Sequence, residues 1–181
     1  MATVTKVYGD ALMAAALEGN ETNRLYEEAR ALQEIWRETP ELSAFLENPN
    51  VADGEKLSVL KSVFAERVSP DMMGFLITVQ EKGRQKEIPQ ILDAFIHQVM
   101  EYKKIGTAWV TSAVCLTEEQ KAQVRDKLLA TTSYVEFEMH FAVDPSLIGG
   151  MVLRIGDRVV DSSIRTRLHR LEKELLGLQL D

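Results

Sequence analysis

The hydrophobic period of this chain changes once, and that change constrains the fold more than any other feature. Up to about residue 104 apolar residues recur at helical spacing: Leu25, Ala29, Leu32 and Trp36 fall at i, i+4, i+7 and i+11, a single stripe on an otherwise charged segment. Beyond Gly106 the period becomes two. The run YVEFEMHFAV at 134–143 puts Val135, Phe137, Met139, Phe141 and Val143 on one side and Glu136, Glu138 and His140 on the other. A helical half followed by a half with strands predicts an α+β protein in two domains, residues 1–104 and 105–181. With 181 residues, 45% of them hydrophobic and 27% charged, the chain carries enough apolar surface to give each half its own core.

Punctuation divides the first half into an antiparallel bundle of about six short helices. Asn20 ends the first, Pro40 opens a short third, and NPNVADGE at 48–55 leads into a fourth. Ser69-Pro70-Asp71 starts the fifth, combining a capping hydroxyl, a first-turn proline and an acid at the positive end of the helix dipole. Gly83 closes it, and the sixth carries Ile88, Ile91, Leu92, Phe95, Ile96 and Val99. Apolar residues occupy nearly the whole circumference of the fifth helix: Met72, Met73, Phe75, Leu76, Ile77 and Val79. It is either the central helix of the bundle or one with a second face lining an apolar groove for a partner helix. The first helix offers Tyr8, Leu12, Ala15 and Ala16 on one side with Val4, Ala11 and Ala14 nearby, small residues that permit close helix approach.

In the second half, TAWVTSAV at 107–114 reads as a strand. LTEEQKAQVRDKLLA reads as a helix whose Thr117 and Gln120 form a capping box. The next run, SLIGGMVLRIGDRVVDSSIRTRLHRLEKELL at 146–176, lacks the spacing of a phosphate loop, and its glycine pair precedes a strand instead of a helix. Gly149 and Gly150 predict a tight turn, Met151, Leu153 and Ile155 alternate with Val152 and Arg154, and Gly156-Asp157 folds the strand back. Asp161, Ser162 and Ser163 supply capping oxygens to a helix starting near Ile164. On that helix Ile164, Leu168, Leu171, Leu175 and Leu178 make a seam close to a coiled-coil repeat, with Arg165, Arg167, His169 and Arg170 near its start. The seam fits a helix packed on its own sheet or one that docks a partner.

Several classes are disfavoured. A net charge of −7 opposes general attraction to nucleic acid or anionic lipid. The apolar runs ALMAAAL and FLITV are far shorter than the ~20 residues of a membrane span. The start of the chain has neither a secretory pattern nor a transit peptide, which favours a bacterial protein. The single cysteine, Cys115, excludes an internal disulfide and is expected to be packing. His97, His140 and His169 show no metal-ligand spacing, so no metal or cofactor is expected. Glu136 and Glu138 are the nearest thing to an acid–base pair, on what reads as the wet face of a strand.

The stretch AVDPSLIGGMVLRIGDRVVDSSIRTRLHRL, 142–171, resembles the C-terminal signature of the delta subunit of F-type ATP synthases, called the oligomycin-sensitivity-conferring protein in mitochondria. The residues carrying it are Gly149, Gly150, Arg154, Gly156, Asp161, Ser163, Arg165 and Leu168. VYGDALMAAA and VQEKGRQKEIPQILDAF are similar to the family's first helix and to its junction between the fifth and sixth. One position departs, Ser162 standing where the family usually has glycine.

The resemblance implies a non-catalytic stator subunit, peripheral on the cytoplasmic face of a bacterial cell membrane, one copy per complex, without cofactor. It implies that the helical domain accepts N-terminal helices of alpha subunits in a groove involving Tyr8, Leu12, Ala15, Leu76, Thr78 and Val79. It implies that the second domain binds the b subunits of the peripheral stalk, for which the seam residues Leu168, Leu171, Leu175 and Leu178 are the candidates. The segment EYKKIG, 101–106, would be the joint. Without the resemblance, the same exposed seams fit a helical adaptor of another assembly, and Glu136 with Glu138 a small enzyme.

Overall fold

The computed structural model describes residues 2–178 and divides the chain into two compact units, Met1–Met100 and Glu101–Asp181. The fold class is α+β, as expected.

The first unit contains α1 (Ala2–Glu18), α2 (Thr22–Glu38), α3 (Pro40–Glu47), α4 (Asp53–Phe64), α5 (Pro70–Glu81), a short 3-10 turn at Gln85–Glu87 and most of α6 (Ile88–Tyr102). The punctuation works as the residue types require. Asn20 and Gly83 adopt positive φ, +52° and +66°, at the ends of α1 and α5. Ser69 Oγ accepts a hydrogen bond from the Met72 N–H and donates at 2.7 Å to Glu28 Oε2, tying the start of α5 to α2. The stripe Leu25, Ala29, Leu32 and Trp36 is buried, and Trp36 stacks on Phe64 of α4 at 5.8 Å. All six apolar positions expected on α6 are buried. α1 packs against α2 and α5, and α5 against α4 and α2, so α5 is surrounded on several sides.

The second unit holds β1 (Ile105–Ser112), α7 (Glu118–Thr131), β2 (Glu136–Val143), β3 (Met151–Ile155), β4 (Arg158–Asp161) and α8 (Ile164–Leu178). The sheet order is β2-β1-β3-β4. β1 and β2 are parallel, joined through α7 as a parallel pair needs, and the other pairings are antiparallel. α7 begins with the expected reciprocal capping box of Thr117 and Gln120. Its Leu128 meets Ala108 and Phe137 in a small core, with Val124, Leu129, Met139, Leu153 and Ile155 around it.

Two expectations are corrected here. The alternation in β2 has the right phase, yet only Phe137 is buried and Met139 half-buried; Val143 and Val135 before the strand are exposed, and so is Phe141, over whose ring α7 brings the charged Lys121 side chain and not an apolar one. Cys115 is not packed: it lies beyond the end of β1 in an irregular link and is exposed.

Candidate docking surfaces

Among the described residues no group of three His, Cys, Asp or Glu is placed to hold a metal ion. His97 stands 4.0 Å from Asp93, His169 Nδ1 lies 3.2 Å from Glu172, and His140 stacks on Trp109 at 5.5 Å. Glu136 is exposed and Glu138 half-buried on the open side of the sheet.

In the first unit, the residues named for a groove divide by depth. Leu12, Leu76 and Val79 are buried at 4%, 0% and 0% exposure, whereas Tyr8 and Ala15 are half-buried and Thr78 is exposed. Leu76 and Val79 thus belong to the core, and only the shallower three reach a surface. Beside them α1 leaves an apolar stripe open: Val7, Ala11 and Ala14 are exposed and Val4 half-buried, at spacings of three, four and three. Val7 was not distinguishable from the sequence, because α1 is apolar on so many sides that no single stripe stands out. On α5, Met73 and Ile77 flank the exposed Gly74 and Thr78 and are themselves half-buried.

In the second unit, the segment from Asp144 to Thr166 forms one knot that fixes where α8 begins. Asp144 accepts from the Ser146 N–H at 2.9 Å, and Leu147 plugs the core at 2% exposure. The chain then takes two positive-φ residues: Ile148 at +67°, a strained choice for a β-branched side chain, and Gly150 at +76°. Between them the Gly149 carbonyl accepts the Ile164 N–H at 2.9 Å, which joins the turn to the first residue of α8. A Cβ on Gly150 would overlap the Ser162 carbonyl oxygen and lie 3.1 Å from Ser163 Cα, so the glycine pair admits the β4–α8 junction against the turn.

That junction is closed by side chains. Asp161 accepts from the Ser163 N–H at 2.8 Å and from the Thr166 hydroxyl at 2.7 Å; Ser163 Oγ accepts the Thr166 N–H as the cap of α8. Arg165 donates to Ser146 Oγ at 2.9 Å, reaching back across the turn. Ser162 has no positive φ, and both its N–H and its hydroxyl donate to the Met151 carbonyl. The junction therefore accommodates a serine at this position without backbone strain. Arg154 donates to the Gly156 carbonyl at 3.2 Å and lies over the Trp109 ring, while Gly156 makes the β3–β4 turn at φ +53°.

Both acids of the knot are held below the ordinary carboxylate range. For Asp144 the Ser146 hydroxyl contributes most, followed by the Ser146 N–H and, after a small opposing desolvation, Arg165. For Asp161 the Ser163 hydroxyl comes first, then the Ser163 N–H and the Thr166 hydroxyl. A depressed folded-state pKa stabilises the knot above the unfolded value, near 3.8, and that contribution is lost as pH falls through the folded value. Below about pH 4, the NMR methyl signals of Ile164 and Leu168 are expected to shift and broaden while those of Leu25 and Leu32 hold. An Ile164 signal that stays unchanged while the Asp144 and Asp161 carboxylates themselves take up protons would remove the carboxylates from this role.

The product of the knot is a helix presented to solvent. Leu168, Leu171 and Leu175 of the seam are exposed, and so is Ile164; the side chain of Leu178 lies outside the described residues. α8 packs against the 3-10 turn at Pro145–Leu147. A second apolar surface was missed in the sequence, an open groove of about 610 Å³ between α7 and the β3–β4 hairpin, lined by Val124, Leu128, Met151, Leu153 and Val160 among others. The adjacent valines of β4 were its only sequence sign, since one of any such pair must face the α7 side.

Comparison with known proteins agrees with the resemblance. The family model described as ATP synthase delta (OSCP) subunit matches residues 4–175. The chain is similar to the ATP synthase subunit delta of Lachnoclostridium phytofermentans, 47% identical over 98% of this chain and 97% of that one. It is also similar to the subunit of the same name in a Nostoc species, 35% identical over 95% and 93%. A chain in the mitochondrial ATP synthase hexamer of Toxoplasma gondii shares the fold, with a TM-score of 0.73 over 95% of this chain and 97% of that one at 22% identity. On a family match that runs from α1 into α8, and on relatives that align along nearly their full length, the chain belongs to the ATP synthase delta (OSCP) subunit family.

Proposed function

We propose that this chain is the non-catalytic stator link of an F-type ATP synthase, joining the alpha/beta head to the peripheral stalk so that the head resists rotor torque. The observation that carries the reading is the match along the whole chain to proteins named ATP synthase subunit delta, which favours it over an adaptor of some other assembly. The exposed helical faces in each unit support it, because a link under torque needs large apolar helix interfaces at both ends. No helix among the described residues is long and apolar enough to cross a membrane, which suits a peripheral subunit.

In this reading α1–α6 act as a six-helix bundle that takes alpha-subunit N-terminal helices along α1 and α5. Leu12, Leu76 and Val79 form the floor and Tyr8, Ala15 and Thr78 the margin. The second unit takes the b subunits on α8, through Leu168, Leu171, Leu175 and Leu178. The protein sits once per complex at the cytoplasmic face of a bacterial membrane.

Thr78 tests the head contact, because its side chain is exposed and its hydroxyl donates within its own helix, to the Gly74 carbonyl at 2.7 Å. Thr78→Arg is expected to leave thermal stability within about 0.5 kcal/mol and to cut co-purification with alpha subunits at least tenfold. Undiminished recovery of alpha subunits would place the contact elsewhere.

A further inference from the structure

We propose that α8 selects and aligns its stalk partner by a two-block charge code, an inference that rests on the stalk-binding role proposed above. With Ile164 and Leu171 at one kind of seam position and Leu168 and Leu175 at the other, the residues flanking the seam follow from the helical repeat. They are Arg165 and Arg167 in the first block, one on each side of the seam, and Glu172 and Glu174 in the second. The near block is wholly basic and the far block wholly acidic. All four are exposed, beside seam residues that are 42%, 52%, 53% and 65% exposed for Ile164, Leu168, Leu171 and Leu175.

The code is anchored to the rest of the unit. Arg165 is held by Ser146, and the helix start is fixed by the Gly149 carbonyl, Asp161 and Ser163, so the basic block has a set position relative to the sheet. Glu172 is steadied by His169 one turn back. A seam of five apolar positions, Ile164 to Leu178, is short for a stable interface, so the flanking charges decide both which helix binds and in which register. The occupant this pattern fits is one amphipathic stalk helix with acidic residues flanking its seam opposite Arg165 and Arg167, and basic ones opposite Glu172 and Glu174. An antiparallel second copy of α8 has the same complementarity. Pairing two copies would cover the very face that the stalk-binding role requires, so the two occupants exclude one another and the oligomeric state of the full chain tells them apart.

The test uses the full chain and two synthetic leucine-seam peptides of identical composition, one with its glutamates and lysines segregated into an acidic and a basic block, the other with the two charges mixed in every heptad. The segregated peptide is expected to bind about tenfold tighter at low salt, with the gap closing in molar salt, and Leu171→Asp is expected to abolish binding of both. Equal affinities would overturn the charge code while leaving the seam as the stalk site. Binding of neither peptide, or binding that survives Leu171→Asp, would overturn the code and the stalk reading of α8 together. Dimers of the full chain at micromolar concentration that dissociate in Leu171→Asp would overturn the proposal in favour of a second copy as occupant.

Discussion

Replacing Leu76 with aspartate is expected to unfold the helical unit and not merely to detach it from a partner. Leu76 has 0% exposure on α5, the helix that packs against α1, α2 and α4. Removing a leucine from such a site costs about 2–5 kcal/mol from lost burial and the cavity left behind. A buried carboxylate without a partner adds several kcal/mol more or protonates at a comparable cost. Against a domain stability of about 5–15 kcal/mol, the sum abolishes the fold. Trp36, 6% exposed and stacked on Phe64, reports the outcome through a red shift of its emission, alongside loss of helical circular dichroism. A variant that keeps its helicity and melts within about 5 °C of the parent would show that α5 tolerates polarity on this face. Thr78→Arg, two residues away on the outside of the same helix, carries the opposite expectation, so the pair separates stability from docking.

The contrast marks where sequence reading of this chain runs out. The period change fixes the α+β class, and capping residues such as Ser69 and Thr117 act as their chemistry predicts because caps are local. On α2 all four stripe residues are buried, since an apolar stripe on a charged helix has one possible inside; Tyr26 beside the stripe is buried as well and was not expected. α5 was not: with apolar side chains on nearly every side, periodicity cannot tell Leu76, which is core, from Ile77, which is half-buried. β2 fails in a related way. Its alternation identifies which face is apolar but not which residues of α7 meet it, and Phe141 lies beneath the charged Lys121 and stays partly exposed. In the knot the sequence named the participants, Gly149, Gly150, Asp161 and Ser163, because turn and cap residues carry their conformational reasons with them. Their convergence on the start of α8 depends on β3 and β4 pairing back to back, which no local signal encodes.

That convergence makes Gly150 the most consequential single position in the second unit. Gly150→Val is expected to release α8 from the turn at Pro145–Leu147 and abolish stalk binding while the helical unit stays folded. A β-branched residue at φ +76° is strained by itself, and its Cβ would drive into backbone atoms of Ser162 and Ser163 that have no rotamer through which to yield. The combined cost is of order 3 kcal/mol, enough to break the hydrogen bond from Ile164 to the Gly149 carbonyl and with it the helix start. Gly149→Ala is the control. Its Cβ would meet only the end of the Ile164 side chain, at 2.6 Å from Cδ1, and a rotation of that side chain relieves the contact. Hydrogen exchange reads both variants directly: amides of residues 162–168 should lose protection in Gly150→Val and largely keep it in Gly149→Ala, with α2 and α6 unaffected in each. Equal loss in the two variants would mean that the turn yields as a whole and that the fit of Gly150 against Ser162 does not hold the helix. Loss of stalk binding with α8 still protected would separate docking from helix placement, because the seam would then be present in its position and still fail.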